Sequence, residues 1–165
     1  MLRVRDERTA RRLGFDVKTV RSGRSREGEV IRSVLRARIS GAYDSARGFR
    51  ARFDGAKLLT LNELLRLNPM ARHRYRSAWH RAAHDAALYI APRARLHGPL
   101  AVSILRRGAR LVDNDGLAAA LKFAIDGFRC CGLIEDDDPS VVAEIRLSQE
   151  RGAPAVEVAF EPIGR

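Results

Sequence analysis

Asp113 and Asp115 stand one residue apart in the segment Leu111–Phe128, which reads LVDNDGLAAALKFAIDGF. In an extended chain that spacing puts both carboxylates on one face. Carboxylates paired in this way bind hard cations such as Mg²⁺, which prefers oxygen ligands and keeps several of its waters. After Gly116 the pattern turns helical. At 100° per residue, with Asp115 at zero, Lys122 and Asp126 each fall about 20° away, so the three make one polar stripe. Leu117, Leu121, Ile125 and Phe128 make a separate apolar stripe for the core. Asp126 follows Lys122 by four residues and can pair with it. The acidic run Glu135-Asp136-Asp137-Asp138 is placed to close such a site. A cation held there neutralises a scissile phosphate and acidifies a bound water. A lysine beside it adds positive charge where the transition state gathers negative charge. The same residues have a plainer meaning as well. Asp-Asn-Asp-Gly is good turn and helix-capping chemistry, and an acidic run before Pro139 suits a solvated loop.

Lysine is scarce in this chain. Of 31 basic residues only Lys18, Lys57 and Lys122 are lysines, and the net charge is +11 over 165 residues. Residues 1–57 hold 16 Lys+Arg against 7 Asp+Glu, and residues 58–165 hold 15 against 13, so the excess is +9 and +2. Such an excess favours a polyanionic partner such as nucleic acid, although an arginine-heavy composition is also what GC-rich coding yields. The 45% hydrophobic content supports a core. No apolar run approaches the roughly 18 residues of a membrane span, and no apolar stretch follows the N-terminal charges. The only cysteines, Cys130 and Cys131, are neighbours and do not make a disulfide framework. These features lead to the expectation of a cytoplasmic protein with no membrane partner and with buried or half-buried thiols.

The elements that must position these residues can be read in outline. Residues 1–57 are rich in Arg, Gly and Ser and read as a basic N-terminal extension, partly disordered or helical, with residues 58–165 as the main domain. Within the extension Thr9–Gly23 has the look of a helix-turn-helix start, and Gly28–Ser40 spaces Val30, Ile31, Val34, Leu35 and Ile39 for a short amphipathic helix. Leu58–Pro69 reads as a strand or loop. Met70–Pro92 reads as a long helix whose apolar face carries Tyr75, Ala78, Trp79, Ala82, Ala83, Ala86 and Ile90. Leu100, Val102 and Ile104 alternate as a strand, a helix runs from about Leu117 to Cys130, and Gly132–Val141 is an acidic loop. Val141–Pro162 reads as a β-hairpin turning at QERGAP. The sum is an α+β fold with a small mixed or antiparallel sheet and two main helices.

The order of these motifs resembles the RusA-type Holliday junction resolvases. Asp113-x-Asp115, Leu117, Lys122 with Asp126 four residues on, and Ile134-Glu135-Asp136-Asp137 stand in the family's sequence of D-x-D-N-L, K-x-x-x-D and a hydrophobic residue before D-D. A closing hairpin follows in that family. Upstream, Leu61-Asn62-Glu63 and the Arg72–Ile90 helix match its short asparagine-bearing segment and basic helix. The resemblance covers about residues 58–162. It implies a homodimeric, Mg²⁺-dependent crossover junction endonuclease that cuts branched DNA in recombination and repair. Carried over, Asp113, Asp115 and Asp137 are the metal ligands, Lys122 is the catalytic lysine, and Asp126 and Asp136 are supporting acids. Two positions depart from the pattern. Gly116 stands where the family has asparagine, and Lys122 lies three residues further along, about one helical turn deeper. A shifted alignment of Asp113-Asn114 on the family's D-N pair leaves Leu111 in place of the first ligand.

In that reading the DNA phosphates meet Arg72, Arg74, Arg76, Arg81, Arg106, Arg107 and Arg110, contacts that grip the backbone without reading bases. His80 and His84 are four apart on the helix but lack the glutamate of a zinc protease motif. The other reading is a non-catalytic DNA-binding or regulatory protein with a structural acidic cluster.

Overall fold

The computed structural model describes the backbone over residues 26–112 and 114–164, and the side chains there other than those of residues 26, 114–116 and 118–120. Helix α1 spans Arg26–Leu35, strands β1 and β2 span Arg38–Asp44 and Gly48–Asp54, and helices α2 and α3 span Leu61–Arg66 and Pro69–Ile90. Strand β3 spans Leu100–Gly108, helix α4 spans Asn114–Cys130, and strands β4 and β5 span Val142–Arg151 and Ala155–Pro162. The architecture is α+β, with a five-stranded mixed sheet in the order β1-β2-β5-β3-β4. Every neighbouring pair is antiparallel except β3 and β4.

The long helix begins where local chemistry dictates. Asn68 caps α3 by accepting from the Ala71 N–H at 2.8 Å, and Pro69 takes the first turn, where its missing N–H costs nothing. The face expected from the spacing is buried: Tyr75, Ala78, Trp79, Ala82, Ala83 and Ala86 all lie in the core. Helix α4 crosses α3 closely at Gly127, where an added Cβ would sit 2.8 Å from the Ala83 Cβ and 3.0 Å from the Trp79 carbonyl oxygen. Phe49, Phe53, Trp79, Phe128 and Phe160 form an edge-to-face cluster at the centre of the core, with the Phe49–Phe128 and Phe53–Trp79 ring centroids 5.4 and 5.5 Å apart.

Several expectations are corrected. Leu58–Pro69 holds a helix, not a strand or a plain loop. Thr60 and Glu63 make a reciprocal capping box that starts α2 just after the apolar pair Leu58-Leu59. Val141–Pro162 is not a hairpin. Strands β4 and β5 both pair with β3, which lies between them, and residues 152–154 bridge over its end. Alternation fits this arrangement as well as it fits a hairpin, because it reports the face and not the partner. The division at residue 57 is not seen over residues 26–57. There α1 packs on α3, β2 pairs with β5 in the middle of the sheet, and Val30, Val34, Phe49, Ala51 and Phe53 join the same core as Phe128. Ile39 belongs to β1 and not to the amphipathic helix. Helix α4 starts three residues before the expected Leu117, and Cys130 is exposed. Thr9–Gly23 lies outside the described residues.

No helix among the described residues is long and apolar enough to cross a membrane.

Candidate functional site

Helix α4 presents two faces, as its pattern requires. Leu117, Leu121, Ile125 and Phe128 are buried. Lys122 stands on the other side with 67% of its side chain exposed, while Asp126, one turn on, is only 7% exposed because α3 covers it. The Lys122 ammonium lies 3.6 Å from Asp126 Oδ1 and donates to Asp137 Oδ2 at 3.2 Å. Lys122 and Asp137 are 15 residues apart, so the acidic loop has been folded back onto the helix. Arg76 of α3 reaches the other Asp126 oxygen at 3.9 Å. Arg129 approaches Asp137 at 3.7 Å and Asp136 at 3.9 Å, ion-pair distances too long for hydrogen bonds.

The electrostatics follow from these contacts. Asp137 is held below the usual carboxylate range by the Lys122 hydrogen bond first and by the Lys122 charge after it. Lys122 is raised by the same hydrogen bond and then by the charge of Asp126. Both groups are therefore ionised across the neutral range. His80, near Arg76 and Asp126, is lowered by burial first and by Arg76 second. Its partner in the sequence pattern, His84, turns to Asp85 at 3.8 Å.

The four acids of the loop do not act together. Glu135 bonds His97 at 2.8 Å. Asp138 ties the turn by accepting from the Ser140 N–H at 2.7 Å and from the Ser140 hydroxyl. Asp136 accepts from the Asp137 N–H at 2.8 Å. Asp137 alone of the four accepts a hydrogen bond from α4, and Asp136 meets that helix only at the long Arg129 contact.

Of the three proposed metal ligands, Asp113 lies outside the described residues, and Asp115 is described by its backbone alone. That backbone is helical, so the extended spacing expected to put Asp113 and Asp115 on one face does not hold at Asp115. The third, Asp137, suits a hard cation in its chemistry: it is an ionised carboxylate, partly open to solvent. Among the described residues no group of three His, Cys, Asp or Glu side chains gathers closely enough to hold a metal ion.

The approach to Asp113 is clamped by a residue the sequence did not single out. Gln149 of β4 accepts from the Val112 N–H at 2.8 Å and donates to the Val112 carbonyl at 2.6 Å. Arg129 was equally unmarked, being one arginine among many. The only hint was its place one turn beyond Asp126.

The arginines expected on DNA divide into two groups. Arg72 caps α2 through the Leu65 and Leu67 carbonyls, both at 3.4 Å, Arg76 faces Asp126, and Arg107 holds Glu150 at 2.9 Å. Arg74 and Arg110 are exposed, Arg81 is exposed beside Asp85 at 3.9 Å, and Arg106 is half-buried against the Arg110 carbonyl. Tyr75 and Trp79 are core residues. The Tyr75 hydroxyl donates to the Lys57 carbonyl and accepts from the Leu59 N–H, both at 3.1 Å, and burial pushes it up to about 12. Cys131 closes the helix by donating its S–H to the Phe128 carbonyl at 3.2 Å.

The described geometry defines an α+β domain with an ionic cluster of Lys122, Asp126, Asp137 and two arginines on one side. In comparisons with known proteins, no family model, no curated protein and no solved structure matches the chain.

Proposed function

We propose that this chain is a Mg²⁺-dependent endonuclease that hydrolyses phosphodiesters in branched DNA, in the manner of a junction resolvase in recombination and repair. The observation that supports it is the meeting of Lys122 with Asp137 at 3.2 Å, from two segments that the resemblance names as parts of one site. In this reading Asp113, Asp115 and Asp137 hold the ion. When bound, it supplies charge neutralisation at the phosphate and an acidified water. The protein supplies the rest. Lys122, kept charged by Asp137 and Asp126, faces the negative charge that develops on the phosphoryl oxygens. Asp126, backed by Arg76, holds the lysine stem over the helix so that the amine needs little reorganisation. Arg74, Arg81 and Arg110 grip the strands through phosphates, so binding falls steeply with salt. Cutting two strands symmetrically calls for two copies of the chain, working on DNA in the cytoplasm.

A second reading rests on a specific feature of the same cluster. Asp137 faces two cations, Lys122 and Arg129, and a carboxylate neutralised from both sides is also what a structural ion network looks like. That reading makes the chain a DNA-binding scaffold without catalysis. A synthetic four-way junction with and without Mg²⁺ separates the two. The nuclease reading expects cleavage by the wild type only with metal, and at least a hundredfold less by Asp115→Asn and by Lys122→Met, roughly the loss seen when one transition-state contact is removed. Binding without any cleavage, or equal cleavage by Asp115→Asn, leaves only the scaffold.

A further inference from the structure

The core-facing row of β3 runs Leu100, Val102, Ile104 and then Arg106. Alternation puts Arg106 on the helix side of the sheet, where a fourth apolar side chain would be expected. It borders a half-open cavity of about 340 Å³ between α1, the segment Lys57–Leu59 and the chain Gly108–Arg110. That volume lies at the small end of ligand sites and has room for a phosphate with the sugar that bears it. None of the residues around Lys122 lines it.

The Arg106 guanidinium is seated. One terminal nitrogen donates to the Arg110 carbonyl at 2.9 Å. The group also folds back over Gly108, where an added Cβ would meet Nη2, Cζ and Nη1 at 3.1, 3.2 and 3.2 Å. The Arg106 Nε is buried and has no hydrogen-bond partner among the described residues. A buried donor left unpaired is a standing cost that a bound acceptor relieves.

The charges around the cavity do not cancel. Lys57 holds Glu29 at 2.6 Å, and Arg107 is turned to Glu150 on the other face of the sheet. The Glu63 carboxylate accepts from the Thr60 N–H at 3.0 Å in the cap of α2. Arg106 and Arg110 remain as cations with no carboxylate at ion-pair distance among the described residues. Val30, Leu59 and Pro154 supply apolar wall, which weakens screening inside.

We propose that this cavity binds a phosphate group, with the Arg106 guanidinium as its principal donor and Arg110 as the second cation. A planar fork suits phosphate oxygens, and the lining sets Lys57, Arg106, Arg107 and Arg110 against Glu29 and Glu63, a positive excess that suits the charge of about −1.5 to −2 on a phosphomonoester. The inference stands apart from cleavage, since it needs neither metal nor Lys122.

Calorimetric titration of inorganic phosphate into the full chain, without divalent metal, tests it. The wild type saturates in the millimolar range or below. Arg106→Gln weakens binding about tenfold or more, as loss of a charge-assisted contact should. Arg110→Gln removes the second cation at an exposed position, keeps the backbone carbonyl that seats Arg106, and weakens binding too. Should Arg106→Gln fail to fold by circular dichroism, Arg110→Gln carries the test. Arg38→Gln removes the same charge from exposed β1 and leaves affinity within about twofold, because exposed charges there are screened. Competition with a DNA duplex identifies the source. Displacement of phosphate means the group belongs to nucleic-acid backbone, and simultaneous binding means a free phosphorylated molecule. No saturation at millimolar phosphate overturns the proposal. So does unchanged affinity in Arg110→Gln, or an equal loss in Arg38→Gln.

Discussion

Asp126 is the one charged side chain that is buried among the described residues, and its two cations come from different helices. Removing one member of a fully buried ion pair costs about 3–5 kcal/mol, because the other charge is stranded. Here Arg76 is 47% and Lys122 67% exposed, and both can turn to water. Asp126→Ala is therefore expected to cost only about 1–2 kcal/mol, as for a surface-screened network, seen as a lower urea midpoint with unchanged m. Asp137 gives a sharper test through pH. Its folded-state pKa is depressed below 3.8, so its contribution is present above that value and is lost as pH falls through the folded pKa. Lys122 is raised above 10.5, so its contribution is present below that value and is lost as pH rises through the folded pKa. The stability difference between wild type and Asp137→Asn should then stay flat across neutral pH and close below pH 3.8. A difference that persists in acid would mean that Asp137 acts by packing and not by charge. The alignment of Lys122 and Asp126 was readable in the sequence because both sit on one helix, where period alone sets direction. Asp137 came from resemblance, and Gln149 and Arg129 from neither, because loop and strand positions opposite a helix follow from tertiary packing.

Helices α3 and α4 meet at Gly127, and two effects oppose each other there. Gly→Ala inside a helix gains about 1 kcal/mol from propensity. The new Cβ would, however, stand 2.8 Å from the Ala83 Cβ and 3.0 Å from the Trp79 carbonyl oxygen, neither of which is a flexible side-chain end. Overpacking of this kind costs about 1–3 kcal/mol, so Gly127→Ala should be net destabilising by thermal melting. A stabilised variant would show that the two helices are free to part. The same contrast between local and distant control explains which elements the sequence disclosed. The long helix reads as Met70–Pro92 in the sequence and runs Pro69–Ile90 in the structure, because its apolar face is a local pattern, and the start of α4 differs by three residues. The partner of β4 was not disclosed, because alternation is satisfied equally by β5 or β3. Six-residue α2 was missed because Leu58 and Leu59 carry the apolar signal, while the start of the helix lies in the Thr60–Glu63 cap. That cap is visible as T-x-x-E in the sequence.

The basic excess of the chain is partly spent on its own sheet. On the face away from the helices, Arg50 approaches Glu157 and Glu161, Arg52 holds Asp54 at 2.8 Å, and Arg146 holds Glu144 at 2.7 Å. The Arg50 pairs tie β2 to β5, and Arg146 also reaches Glu161 of β5 at 3.7 Å, while the other two pairs lie within single strands. The charge surplus of residues 1–57 therefore does not mark an arm laid on the outside of a complete domain, at least over residues 26–57. Val30, Val34, Phe49 and Phe53 are buried to 6% exposure or less, and β2 covers one edge of β5. At about 1.5–3 kcal/mol for each large apolar side chain, those four alone contribute on the order of 6–12 kcal/mol. A whole domain is stable by only about 5–15 kcal/mol. A fragment of residues 58–165, which contains the 58–162 span of the resemblance, should therefore fail to fold. It would lack the Phe49 and Phe53 rings that pack on Phe128 and Trp79, and β5 would present Val156, Val158 and Phe160 to water. Trp79, fully buried in the intact chain, reports the outcome directly. Its fluorescence should shift to the red in the fragment, and the cooperative melting transition should vanish. A fragment that melts cooperatively with blue emission would show that the helices and β3–β5 stand without the hairpin of β1 and β2.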